Sequence, residues 1–63
     1  MAKKYQPMVI NISGASGTGK SKLAHVIADA CVFAGKTFQI VDEDGLLRGT
    51  EGKVDVIVRV NNA

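Results

Sequence analysis

The stretch Gly14-Ala15-Ser16-Gly17-Thr18-Gly19-Lys20-Ser21 matches the phosphate-binding pattern G-x-x-x-x-G-K-[ST] at every fixed position. From average residue usage, a chain this short matches those positions by accident about once in several hundred. The flanks carry the context such a loop needs. The apolar run Met8-Val9-Ile10-Asn11-Ile12 precedes it and reads as a strand, and an amphipathic stretch from Lys20 to Ala34 follows it and reads as a helix. The expected unit is strand, loop, helix, with the loop wrapped around phosphate.

Each residue type in the loop has a physical task. Gly14 and Gly19 permit a tight turn and close approach of backbone to phosphate. The N–H groups from Ser16 to Ser21 are expected to point inward at the helix start, where unpaired donors and the helix dipole favour negative charge. Lys20 is placed to reach the β and γ phosphates, and the Ser21 hydroxyl to ligate a magnesium ion bridging them. Ala15, Ser16, Gly17 and Thr18 occupy free positions of the pattern; Ser16 and Thr18 can also hydrogen-bond phosphate oxygens. The competing reading is a glycine-serine turn before an ordinary helix.

At about 100° per residue, Leu23, Ala24, Val26, Ile27, Ala30, Cys31, Phe33 and Ala34 fall on one half of the helix, with Lys22, His25 and Asp29 opposite. Val32 is an apolar residue on the polar side. Gly35 stands where a left-handed helix cap is expected. Thr37 to Val41 alternates and reads as a second strand, ending in Asp42-Glu43-Asp44-Gly45. Leu46 to Lys53 reads as loop with one helical turn over Leu46-Leu47, and Val54 to Val60 as a third strand before a polar tail, Asn61-Asn62-Ala63.

The strand faces predict the layers. Met8, Ile10 and Ile12 share one face, as do Phe38 and Ile40, and Val56, Val58 and Val60. The other faces mix Val9, Val41 and Ile57 with Asn11, Ser13, Gln39, Asp55 and Arg59. A sheet covered on both sides would show nearly continuous apolar strands. The expected architecture is therefore α/β with two layers: one helix packed on a three-strand sheet, in the order strand, loop, helix, strand, strand. The outer face leaves room for a second copy of the chain or another protein. With 63 residues, one domain and one modest core are expected, with 1–7 as a solvated arm and 61–63 as a tail.

A single cysteine excludes an intrachain disulfide, and no residues have metal-ligand spacing. Neither a signal peptide nor an apolar run of membrane-spanning length is present, so a reducing, cytoplasmic setting is expected, with Cys31 as a small core residue. A net charge of +2 is too mild to argue for a nucleic-acid partner.

Taken with Phe38-Gln39-Ile40-Val41-Asp42-Glu43-Asp44-Gly45, the loop resembles the opening of small-molecule P-loop kinases, the adenylylsulfate kinases in particular. The resemblance spans about Val9 to Gly49. It implies that Asp42 and Asp44 lie across the phosphates from the loop and serve magnesium or the phosphate acceptor, making Lys20, Asp42 and Asp44 the candidate catalytic groups and Ser21 and Asp42 the candidate metal ligands. It implies Mg2+ with ATP, ahead of GTP, as the ligand. The same acidic cluster reads equally as a turn after a strand.

The chain departs from that family in several places. Glu43 replaces a glycine, Leu47 stands at the family's arginine, and Arg48 comes one residue late. The acid expected at the end of the third strand is replaced by Asn61. Asp55 lies far from the loop if that strand is parallel to the first, and near it if antiparallel; the link from Asp42 to Lys53 permits either. Arg48 and Arg59 read as surface charges or as groups acting on a neighbouring subunit's nucleotide. The expected function is a reduced, kinase-like nucleotide-binding module, with turnover as a phosphotransferase or NTPase left open. The alternative is a non-catalytic protein, of the kind a compact phage genome encodes, that uses the same shape to bind another protein.

Overall fold

A computed structural model of the chain describes residues 4–15 and 17–62. Five elements follow one another: strand β1 (Met8–Gly14), helix α1 (Lys20–Phe33), and strands β2 (Phe38–Asp42), β3 (Gly45–Gly49) and β4 (Val56–Asn62). They form one helix layer on a four-strand sheet of order β1-β4-β2-β3. The α/β architecture is as expected; the sheet has one strand more.

The additional strand is β3. Leu46 to Gly49, expected as loop with a helical turn, instead pairs antiparallel with β2, with Val41 opposite Leu46 and Asp42 opposite Gly45. Its role is topological. Successive parallel strands need a crossover of about a dozen residues or more. Here the β2–β3 hairpin carries the chain back to the end of the sheet where β4 must start, so the short link 50–55 is enough.

That link is held at several points. Thr50 N–H donates to the Phe38 carbonyl at 3.0 Å and Val56 N–H to the Thr37 carbonyl at 3.1 Å. The Tyr5 hydroxyl donates to the Val54 carbonyl at 2.7 Å and accepts from the Val54 N–H at 2.9 Å. Tyr5 thus anchors part of the N-terminal segment to the start of β4.

β4 lies between β1 and β2 and is parallel to both. Its direction puts Asp55 at the end of the strand away from the loop. There Asp55 Oδ2 accepts from the Thr37 N–H at 3.1 Å and from its hydroxyl at 3.2 Å, while Asp55 N–H donates to that hydroxyl at 2.9 Å. Asn61 and Asn62, expected as a tail, continue β4 and pair with Ser13 and Gly14.

The strand faces agree with the alternation in the sequence. Met8, Ile10 and Ile12 align with Val56, Val58 and Val60, and Phe38 and Ile40 with Val56 and Val58. Ile40, Val56, Val58 and Val60 are buried against Ala24, Ala28 and Cys31 of α1, with Ile10, Ile12, Ile27 and Phe38 around them. Two alanines on the contact face let the helix lie close to the sheet. Burying each large aliphatic side chain stabilises the fold by about 1.5–3 kcal/mol.

The helix face in contact is narrower than the apolar half of its wheel. Leu23, Val26 and Phe33, expected toward the core, are exposed, Phe33 by 96%. Ala24, Ala28 and Cys31 face the sheet, and at about 100° per residue Val26 and Phe33 lie almost opposite them, so these side chains turn away from the sheet. At the helix end, Gly35 (φ 74°) closes a Schellman turn, with Gly35 N–H donating to Val32 and Lys36 N–H to Cys31. No helix among the described residues is long and apolar enough to cross a membrane.

Two predictions follow from this packing. Gly49 has φ 104°, and a Cβ there would strike the Phe38 carbonyl oxygen and approach Gln39 Cα to 2.8 Å. Gly52 has φ 90° with open space around it. Gly49→Ala is therefore expected to lower Tm by about 10 °C or more, and Gly52→Ala by distinctly less, because only the first adds a clash to the dihedral strain. Equal losses in thermal denaturation would contradict the close approach of β3 to β2.

The second concerns pH. The Thr37 N–H and then its hydroxyl hold the Asp55 carboxyl below its ordinary pKa, with a smaller pull from Lys36 and desolvation opposing. A depressed carboxyl stabilises the fold above its unfolded-state pKa and loses that effect as pH falls through the folded-state value. Asp55→Asn should thus be less stable than the parent at neutral pH, with the gap closing in acid below the usual carboxylate range. A gap constant from pH 7 to pH 2 in denaturant titrations would count against the clamp.

Candidate functional site

The three parallel strands end on one side of the sheet, and their carboxyl ends carry Gly14 (β1), Asp42 (β2) and Asn62 (β4). The loop from Gly14 to Gly19 and the first turn of α1 rise from the same side. Together they border an open cleft of about 350 Å³ lined by Gly17, Gly19, Lys20, Ser21 and Lys22 from the loop and helix, Asp42, Glu43 and Asp44 from the β2–β3 turn, and Val60 and Asn62 from β4. The sequence-derived candidates Lys20, Ser21, Asp42 and Asp44 therefore face one space. Ser16, also a candidate, lies outside the described residues.

The loop geometry follows from its glycines. Gly19 takes a left-handed conformation (φ 88°, ψ 20°) as the residue before the helix, and among the described residues no side chain caps the helix start. Gly17 is left-handed too, at φ 85°. Thr18 Oγ1 donates to the Ala15 carbonyl at 2.8 Å, closing the loop on itself. A Cβ on Gly14 would sit 3.1 Å from that hydroxyl, so a side chain there would crowd the loop. The Gly19 carbonyl accepts the first helical bond, from the Leu23 N–H, at 3.0 Å. Among the described residues, the backbone N–H groups of Gly17, Thr18, Gly19, Ser21 and Lys22 donate to no backbone carbonyl. A group of unpaired donors at a helix start attracts an anion.

Lys20 lies back along the loop. Its Nζ donates to the Gly14 carbonyl, to the Ala15 carbonyl at 3.0 Å and to Asn62 Oδ1 at 2.9 Å. The strand-end side chain that meets the loop is thus Asn62, not Asn61. Of the two successive asparagines, Asn62 continues the face of Val56, Val58 and Val60 that the helix covers, and the parallel pairing of β4 with β1 brings it beside Gly14.

Across the cleft, Asp42 does two things. Its Oδ1 accepts from the Asp44 N–H at 2.8 Å and the Gly45 N–H at 3.2 Å, which shapes the turn. Its other carboxylate oxygen has no hydrogen-bond partner among the described residues. The turn and site readings of this cluster are compatible. No three His, Cys, Asp or Glu side chains among the described residues converge as a metal cage. The oxygens of Ser21 and Asp42 suit a hard cation that takes its remaining ligands from water and phosphate, which is how magnesium is usually held.

The arginines are elsewhere. Arg48 extends over the Phe38 ring, 5.4 Å from its centroid, and reaches His25 Nδ1 at 3.0 Å and Asp29 Oδ1 at 3.4 Å. This exposed cluster on the helix flank contributes at most about 1 kcal/mol. Arg59 is on the opposite sheet face, beside Asn11 and Val41 in the ladder.

The two tasks of Asp42 separate by mutation. Asp42→Asn keeps an acceptor oxygen for the turn, whereas Asp42→Ala removes it and is expected to cost about 1 kcal/mol of stability. Equal stability of the two variants in chemical denaturation would show that the carboxylate does not shape the turn.

Comparison of the chain with known protein families, curated proteins and solved structures finds no match.

Proposed function

We propose that the chain binds the polyphosphate of a nucleoside triphosphate, ATP ahead of GTP, in the cleft between the loop and the β2–β3 turn. The observation that carries this reading is that, among the described residues, the N–H groups of Gly17, Thr18, Gly19, Ser21 and Lys22 have no backbone acceptor and stand beside the Lys20 ammonium. A polyphosphate would give those donors acceptors and place anionic charge at the positive end of α1. Ser21 and Asp42 would hold a magnesium ion there, and its charge would offset the repulsion between the Asp42 and Asp44 carboxylates and the anion.

Phosphoryl transfer relies on positioning and on charge stabilisation by metal and arginine. No arginine lines the cleft among the described residues. The reading is accordingly a kinase-like binding module with little turnover of its own. Asp42 and Asp44 line the cleft and would serve an acceptor hydroxyl in any transfer.

A second reading, in which the chain acts by binding another protein, is favoured by the exposed Leu23, Val26 and Phe33 on the outer side of α1. Solvent-exposed aromatic and aliphatic groups clustered in this way often mark interfaces.

Calorimetric titration with ATP and magnesium separates the two. The binding reading expects saturable heat and a rise in Tm, with Lys20→Ala weakening affinity tenfold or more. Unchanged affinity in Lys20→Ala rejects the role of the loop. No heat and no Tm shift at millimolar nucleotide, together with a sedimentation mass that rises with concentration, favours the protein-binding reading instead.

A further inference from the structure

We propose that Asn62 is a latch on Lys20: it holds the ammonium in the ligand-free protein and is the partner given up when a phosphate arrives. The proposal rests on the polyphosphate reading above and specifies how that site is regulated.

A lysine ammonium has three N–H donors. Here all three are taken, by the Gly14 carbonyl, the Ala15 carbonyl and Asn62 Oδ1. A phosphate oxygen therefore gains a bond from Lys20 only if one of these contacts opens. The three are not equivalent. The two carbonyls belong to the backbone at the end of β1 and the start of the loop, and shifting them would disturb the Gly14–Asn62 pairing. The Asn62 amide is an exposed side chain with its own rotatable bonds, so its contact opens at least cost.

The chemistry of the latch matters as much as its position. Asn62 comes from 42 residues further along the chain and is delivered to Lys20 by the parallel pairing of β4 with β1. Its oxygen is neutral, like the two carbonyls, so the ammonium is oriented but keeps its charge. A carboxylate at this point would neutralise Lys20 and oppose an incoming anion. A side chain without an acceptor would leave the ammonium free to meet the phosphate at once. The asparagine sets an intermediate affinity, and the freed amide N–H2 becomes a donor facing the cleft.

The test uses inorganic triphosphate as the probe, titrated into the intact chain in EDTA and again in magnesium, with Asn62→Ala and Asn62→Asp. In EDTA the latch requires the affinity order Ala, Asn, Asp, with Asn62→Ala about three- to tenfold tighter than the parent and Asn62→Asp at least tenfold weaker. Magnesium should recover much of the loss in Asn62→Asp by offsetting the added charge. Loss of local structure would weaken both variants, so opposite directions distinguish a latch from a scaffold. A readout without ligand accompanies it: the acetylation rate of Lys20 by acetic anhydride, followed by mass spectrometry, should rise in Asn62→Ala and fall in Asn62→Asp. Parent binding with Asn62→Ala equal or weaker, or with unaltered Lys20 reactivity, overturns the latch and leaves the phosphate site standing. A parent chain that binds no triphosphate in either buffer overturns the phosphate reading, and the latch with it.

Discussion

The insertion of β4 between β1 and β2 is the constraint on which the other features depend. Before β4 is in place, β1 has no strand partner, and β2 is paired only with the exposed hairpin strand β3. Once it is in place, Val56, Val58 and Val60 supply the middle of the apolar layer, and Ala24, Ala28 and Cys31 have a surface to cover. The same strand carries Asp55 to Thr37 at one end and Asn62 to Lys20 at the other. A small domain has few long-range contacts to spare, and this one concentrates them on the last strand described. Its stability and the geometry of its cleft are therefore coupled.

The hairpin explains how so short a chain builds three parallel strands with only one helix. By reversing direction through Asp42-Glu43-Asp44-Gly45, the chain reaches the start of β4 without a second crossover. That reversal also leaves three acidic side chains at the carboxyl end of β2, facing the loop across the cleft. Ligand sites in parallel sheets commonly form beyond the carboxyl ends of the strands. Here the turn needed for topology and the acids that border the cleft are the same residues.

Most of the layer structure was legible in the residues, because alternation in β1, β2 and β4 directly records which side chains share a face. The helix start at Lys20 and the cap at Gly35 were legible because the apolar period begins and ends there, and both flanking glycines, Gly19 and Gly35, hold left-handed backbone. β3 was not. Gly45-Leu46-Leu47-Arg48-Gly49 is exposed on both faces at the sheet edge, so it carries no alternation, and its flanking glycines resemble those of a loop. The helix flank misled in the opposite sense. Leu23, Val26 and Phe33 have the periodicity of a buried stripe, but α1 turns Ala24, Ala28 and Cys31 to the sheet instead, which leaves Val26 and Phe33 on its far side. The contact between Asn62 and Lys20 depends on strand direction and register together, neither of which a run of valines specifies.

The central claim is that the loop amides receive polyphosphate, and backbone amide NMR tests it most directly. Titration of inorganic triphosphate into the uniformly labelled chain should shift the amide resonances of Gly17, Thr18, Gly19, Lys20 and Ser21 the most, with a common saturation curve, while those of β3 and the exposed helix flank stay in place. Shifts spread evenly over the surface lysines, or confined to residues outside the loop, would contradict the account.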